Sequence, residues 1–127
     1  MLWIPSFSGG LVARFDPTTR RFETWELPTE PRGSDVPYAL NVERKTDTVW
    51  ICGANSDSLI RFDPQREHFT SYPLPTRVTY TREVDFDAQG RPWTSNSNAP
   101  NRPGVESVSL SAHEHPPARQ LGAGPGL

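Results

Sequence analysis

"IRFDPQREHFTSYPLP", residues 60 to 75, restates "ARFDPTTRRFETWELP", residues 13 to 28, with every matched residue at the same spacing. Arg14, Phe15, Asp16 and Pro17 match Arg61, Phe62, Asp63 and Pro64, and 62 minus 15 gives an offset of 47 residues. Phe22 matches Phe69, Trp25 matches Tyr72, and Leu27-Pro28 falls on Leu74-Pro75, so no insertion or deletion has entered the segment. The match runs backwards to Trp3-Ile4 and Trp50-Ile51, and "RPWTS", residues 91 to 95, supplies Trp93, where 93 minus 50 gives 43. Three copies of one unit are visible, the last one decaying.

A period near 47 is close to the roughly 40 to 50 residues of a four-stranded propeller blade. Local pattern agrees with strands. In "GGLVARFD" the apolar residues fall at Leu11, Ala13 and Phe15, and in "DSLIRFD" at Ile60 and Phe62, the period of two of half-buried strands. Asp-Pro followed by two polar residues, at 16 to 19 and again at 63 to 66, suits a type I turn, because proline fixes φ at the second turn position. The recurring aspartates are therefore read as turn caps rather than acid catalysts.

The better copy predicts strands over Tyr38–Val42, Thr48–Cys52, Ser58–Asp63 and His68–Tyr72, with Pro73 stopping the last. Four antiparallel strands alone are marginal and need neighbouring sheets on their faces. The recurring Trp and Phe positions are read as core between blades. The fold class is thus all-β: about two to three four-stranded antiparallel blades of an incomplete propeller over residues 1–103. Four to eight such blades need about 190 to 380 residues, and the chain has 127. With Met1 to Ile4 aligning on Thr48 to Ile51, the first strand of the first unit is skipped, and the expectation is a fragment of a longer protein.

After "TSNSNAPN" the anchors stop, and "RPGVESVSLSAHEHPPARQLGAGPGL" is rich in Gly, Pro, Ala and Ser. Such a composition buries too little apolar area to offset chain entropy, so residues 104–127 are expected to be a disordered, low-complexity tail. His113 and His115 in that tail supply too few ligands for a closed metal site.

Thirteen basic against fifteen acidic residues, a net charge of −2 and no long run of either sign point to neither nucleic acid nor an anionic membrane as partner. No stretch reaches the length of a membrane span and no secretory signal is present in this chain, which leaves the compartment open. The single Cys52 lies in a predicted strand beside Trp50 and reads as a small buried thiol. His68, at the turn-strand junction where the first copy has Arg21, is read as solvated.

The ordered recurrence of "PYAL", a turn, "VWI", a polar loop, "LIRFDP" and then an F-T-x-Y-x-LP run resembles the blade repeat of the virginiamycin B lyase, or streptogramin B lyase, family over about residues 2–98. The resemblance implies a seven-bladed propeller and a magnesium-assisted elimination that opens a cyclic depsipeptide antibiotic at its ester bond, with a base removing the proton α to a carbonyl. It also implies histidines at P-H-A-I-like strand starts and a glutamate shortly after the tryptophan strand. This sequence has Tyr38 at the first place and Gly53 near the second, and in the third unit the corresponding places fall near Arg82 and Asn96. None of the implied catalytic residues is seen, magnesium is implied by the resemblance only, and the chain by itself is expected to be inactive.

Strand starts at a propeller mouth would bring Tyr38, Arg82, Glu83, Asn96 and Asn98 towards a ligand, and these are the ligand-binding candidates. Alternation along "REVDFD" places Arg82 on the face of Val84 and Phe86, with Glu83, Asp85 and Asp87 opposite. Two functional classes follow: a section of a lyase-like enzyme, or a non-catalytic propeller serving as a ligand-binding, sensor or scaffold module. Expected partners are a small-molecule or peptide ligand and, through exposed blade faces, a second copy.

Overall fold

A computed structural model of the chain describes residues 1–97, together with two short strand segments at 108–109 and 120–121. Asn98 and most of the tail, with His113 and His115, lie outside the described residues. Every regular element among the described residues is a strand, and no helix there is long and apolar enough to cross a membrane.

The first blade is the antiparallel sheet of β1 (Leu2–Ser6), β2 (Leu11–Asp16) and β3 (Arg21–Glu26). The second holds β4 (Pro37–Glu43), β5 (Thr48–Gly53), β6 (Ser58–Asp63) and β7 (His68–Pro73), in sequence order across the sheet. The third is built on β8 (Val84–Phe86) and β9 (Pro92–Thr94). The pair β10 (Val108–Ser109) extends the third blade beside β9, and β11 (Gln120–Leu121) lies beside β7. The repeat thus sets the strands: β2 and β6 begin 47 residues apart (11 and 58), as do β3 and β7 (21 and 68).

One loop design joins the strands of the first two blades. Each of the turns 7–10, 17–20, 44–47, 54–57 and 64–67 ends on a residue in the left-handed region: Gly10 (φ 59°), Arg20 (58°), Asp47 (55°), Asp57 (50°) and Glu67 (50°). In the Asp-Pro turns the aspartate caps as its sequence implies. Asp16 accepts hydrogen bonds from the Thr18 N–H and the Thr19 hydroxyl, and Asp63 from the Gln65 and Arg66 N–H groups.

The period of two distributes the second blade between two cores. Val49, Ile51, Ile60, Phe62 and Phe69 turn towards the first blade and pack with its Trp3, Val12, Trp25 and Leu27. Trp50, Cys52, Leu59 and Tyr72 turn the other way and pack with Leu74 and Val84. Between the first two blades, Trp25 lies 5.0 Å from Phe62 and donates its indole N–H to Glu67 at 3.1 Å. Between the second and third, Trp50 meets Phe86 edge-on at 6.4 Å, and the Asn41 amide donates to the Val84 carbonyl at 3.1 Å. These rings are core between blades, as the repeat implies.

Candidate functional site

Antiparallel order assigns each loop to one of two ends of the sheets. The turns 7–10 and 54–57, the links into β4 and β8, and the segment after β9 all share one end. Tyr38, Arg82, Glu83 and Asn96 are therefore gathered at the same mouth.

Two carboxylates, Asp35 buried and Asp57 half-buried, build its floor. Asp35, 1% exposed, lies in the link before β4 and accepts from the N–H groups of Val36, Asn55 and Ser56 and from the Ser56 hydroxyl at 2.6 Å. It fastens the link between the first two blades to the turn 54–57. Asp57 repeats the device one blade on, accepting from Val78 N–H (2.8 Å), Thr79 N–H (2.7 Å) and the Thr79 hydroxyl (2.9 Å). Burial works against ionisation of Asp57, but these hydrogen bonds outweigh it and hold its carboxyl below the ordinary range. The Ser97 N–H donates to the Thr79 carbonyl at 2.9 Å, which ties the segment carrying the half-buried Asn96 to the same link.

On this floor stands a three-member ridge. The ladder of β4 with β5 shifts register between Pro37 and Leu40, and this irregularity frees Tyr38 from the regular pairing. Its ring, 42% exposed, meets Phe7 of the first blade edge-on at 5.6 Å, and the guanidinium of Arg82 from the third blade lies 5.1 Å over it. One residue from each blade thus contributes to one surface, apolar at Phe7 and cationic at Arg82. Such a surface suits an aromatic or carbonyl-rich ligand, with the guanidinium free to donate to oxygen acceptors.

Arg82 and Glu83 differ from the alternation expected for them. Pairing of β8 begins at Val84, opposite Thr94, so both precede the strand and both side chains are exposed. The Glu83 carbonyl is held by the Thr94 hydroxyl at 2.7 Å. Phe7 is the member that sequence reasoning missed. Its counterpart 47 residues on is Ala54, so the repeat carries no signal for an aromatic there.

Gly53 has a steric explanation. A Cβ at this position would collide with the Asp35 carboxylate and the Ser56 hydroxyl, so the glutamate implied by the resemblance has no room. Metal donors are tested in the same way: among the described residues no group of three or more His, Cys, Asp or Glu side chains converges to hold an ion. The described residues of this mouth thus offer no converging set of carboxylates for magnesium.

Cys52 lies behind the mouth, fully buried in the second core. Burial, only partly offset by hydrogen bonding to Thr94 and Thr81, pushes its thiol up to about 11. It behaves as the packed thiol that its sequence context implies.

No protein-family model matches the sequence, and no curated protein matches it significantly. Solved structures do. A streptogramin B lyase structure aligns with a TM-score of 0.66 at 19% identity over 76% of this chain and 30% of its own. A virginiamycin B lyase from Staphylococcus aureus, solved with selenomethionine, aligns with a TM-score of 0.66 at 14% identity over 85% of this chain and 37% of its own. The chain spans about a third of the length of these structures, and at this identity the likeness is one of fold. The three sheets that follow the sequence repeat are therefore blades of a β-propeller, the fold shared with these two structures.

Proposed function

We propose that the chain is a section of a lyase-like propeller and supplies ligand-binding surface at the mouth rather than the base of the elimination. The observation that carries this reading is the alignment of Phe7, Tyr38 and Arg82, one from each blade, across a single end of the molecule. In the whole propeller the reaction would open a cyclic depsipeptide of the streptogramin B class at its ester bond. The ridge would grip an aromatic side chain of the ring and orient its carbonyls towards Arg82.

A second reading, a non-catalytic propeller that binds a ligand or serves as a scaffold, is favoured by one specific fact. Tyr38 and Gly53 stand where the resemblance implies histidine and glutamate, and Asp35 with Ser56 leaves no space for a longer side chain at Gly53.

Titration of the chain with a streptogramin B antibiotic, followed by tryptophan fluorescence, tests both. Saturable binding that Tyr38→Ala and Arg82→Ala weaken, with no ring-opened isomer separated by chromatography, supports the first reading. Absence of binding rejects it in favour of the second, and magnesium-dependent ring opening by this chain alone overturns the assignment of a purely binding role.

A further inference from the structure

The links that carry the chain from one blade to the next have the same length and lie at the repeat offset, 27–36 after β3 and 74–83 after β7. Both pass through the left-handed region at the same place. Gly33 does so at φ 73° and Tyr80, 47 residues on, at φ 45°. Glycine meets that requirement at no steric cost, whereas a tyrosine there is strained. A Cβ at Gly33 would have nothing within 4 Å, so backbone conformation rather than crowding suits glycine to the position. Val78 is a second left-handed residue, at φ 57°, and a β-branched one. The first link has Pro31 at that place, whose ring fixes a negative φ, so the repeat does not demand it.

The strained side chains are not what holds this link. Asp57 receives the Val78 and Thr79 N–H groups and the Thr79 hydroxyl, Ser97 holds the Thr79 carbonyl, and Thr79 and Thr81 are buried. Val78 and Tyr80, alternating with them, are 54% and 44% exposed. Among the described residues the Tyr80 side chain makes no hydrogen bond or ring contact. Two large side chains are thus fixed at the mouth by contacts in which those side chains take no part. Backbone strain of this kind persists where surrounding contacts over-determine it, ligand clamps among them. The same link ends on Arg82, whose guanidinium lies over Tyr38.

We propose that Val78 and Tyr80 form a second apolar subsite of the mouth, which takes one apolar side chain of a peptide ligand while another lies against Phe7 and Tyr38. The subsite rests on the reading of the mouth as a ligand surface and adds to it a determinant of which ligands fit. Arg82, stacked on Tyr38 and two residues from Tyr80, stands between the two walls and donates to the peptide carbonyls that pass it. Val78 and Arg82 are four residues apart, at most about 14 Å of chain. A peptide of a few residues covers that reach, and a single ring does not. The Tyr80 phenol offers it a flat apolar face with a hydroxyl at the rim.

Titration of the 127-residue chain with a streptogramin B antibiotic, followed by tryptophan fluorescence and run beside thermal unfolding, is the test. Tyr80→Gly is expected to hold or raise Tm, because glycine relieves the strain at φ 45°, and yet to weaken binding at least about tenfold. Tyr80→Phe keeps the ring and should bind within about threefold of the wild type. Wild-type affinity in Tyr80→Gly, where Tyr38→Ala weakens binding, overturns the subsite and leaves the ridge as the ligand surface. Absence of binding by the wild type overturns both. A clear fall in Tm on Tyr80→Gly also overturns the subsite, since the ring would then be holding the link. Val78→Gly repeats the trial at the second strained residue, and wild-type affinity there counts against the subsite in the same way.

Discussion

Phe22 and Phe69 occupy the same position of the repeat, 47 residues apart, yet Phe22 is 64% exposed and Phe69 only 3% exposed. The difference comes from what faces each ring. Phe69 stacks on Phe62 at 4.4 Å in the core that the first blade covers, whereas Phe22 rests on Phe15 with its outer side in solvent. Phe69→Ala should therefore cost about 3 kcal/mol or more, and Phe22→Ala less than about 1 kcal/mol. Urea unfolding of dilute protein measures both, and equal costs would mean that the two faces are equally covered.

Gly53 should resist even the smallest enlargement. A methyl group there meets Asp35 and Ser56, the pair that fastens the turn 54–57, so Gly53→Ala should destabilise by about 1–3 kcal/mol. Gly53→Glu, which restores the residue the resemblance implies, should lower the melting temperature further and confer no activity. A folded, active Gly53→Glu protein would show that the mouth rearranges more freely than its contacts suggest.

Acid should loosen the chain in a definite window. Glu43 is held below the ordinary carboxylate range by the Thr46 hydroxyl, against burial, with help from the Lys45 and Thr46 N–H groups. Asp57 is held there against burial by Thr79 and Val78, and Asp63 against burial by Arg66 and Gln65. Because these groups bind protons more weakly folded than unfolded, their stabilisation is complete above the unfolded carboxylate range near pH 4. It is lost as pH falls through the lower folded values. Tm should be flat from about pH 7 to 5 and fall below about pH 4, and Asp57→Asn should reduce that dependence while costing about 1–3 kcal/mol at neutral pH. A Tm that rises on acidification would contradict this.

Cys52 should be silent in the native protein. With its thiol raised to about 11 and its side chain fully buried, little thiolate exists at neutral pH and none of it is accessible. A chromogenic thiol reagent should react within the time of mixing in denaturant and only at the rate of unfolding without it. Rapid labelling of the folded chain would mean that the second core opens readily.

Arg20 offers a stabilising change. It is exposed and sits at φ 58°, a region that costs a side-chain-bearing residue about 1–2 kcal/mol and glycine little. After the roughly 0.5–1 kcal/mol of extra chain entropy glycine loses on folding, Arg20→Gly should be neutral to stabilising by about 1 kcal/mol. A clear loss of stability would show that the Arg20 side chain holds the turn.

The repeat makes the strands legible almost to the residue, because identity at a fixed offset, apolar alternation and Asp-Pro turns all constrain the same boundaries. Ser58–Asp63 is observed as expected, β5 and β7 each run one residue further at the C-terminal end, the latter taking in Pro73, and β4 is one residue longer at both ends. The mouth was legible only in part. Tyr38, Arg82, Glu83 and Asn96 could be placed at one end by counting strands, but the clamps of Asp35 on 55–56 and of Asp57 on 78–79 span about 20 residues with no local pattern to announce them. Phe7 enters the ridge because of where its turn lands against the next blade, a tertiary fact that no repeat position records. The late start of pairing at Val84, which leaves Arg82 and Glu83 outside the strand, depends likewise on β9 ending at Thr94.

A single strand, β5, sends Val49 and Ile51 into one core and Trp50 and Cys52 into the other. Neither core can melt without withdrawing support from the strand that the other depends on, so the middle blade acts as a nearest-neighbour coupling between its flanks. The three sheets should consequently lose structure in one concerted transition, and a lesion deep in the seam of the first two blades should be felt as faster hydrogen exchange around Leu59 and Leu74, on the far side of the same sheet.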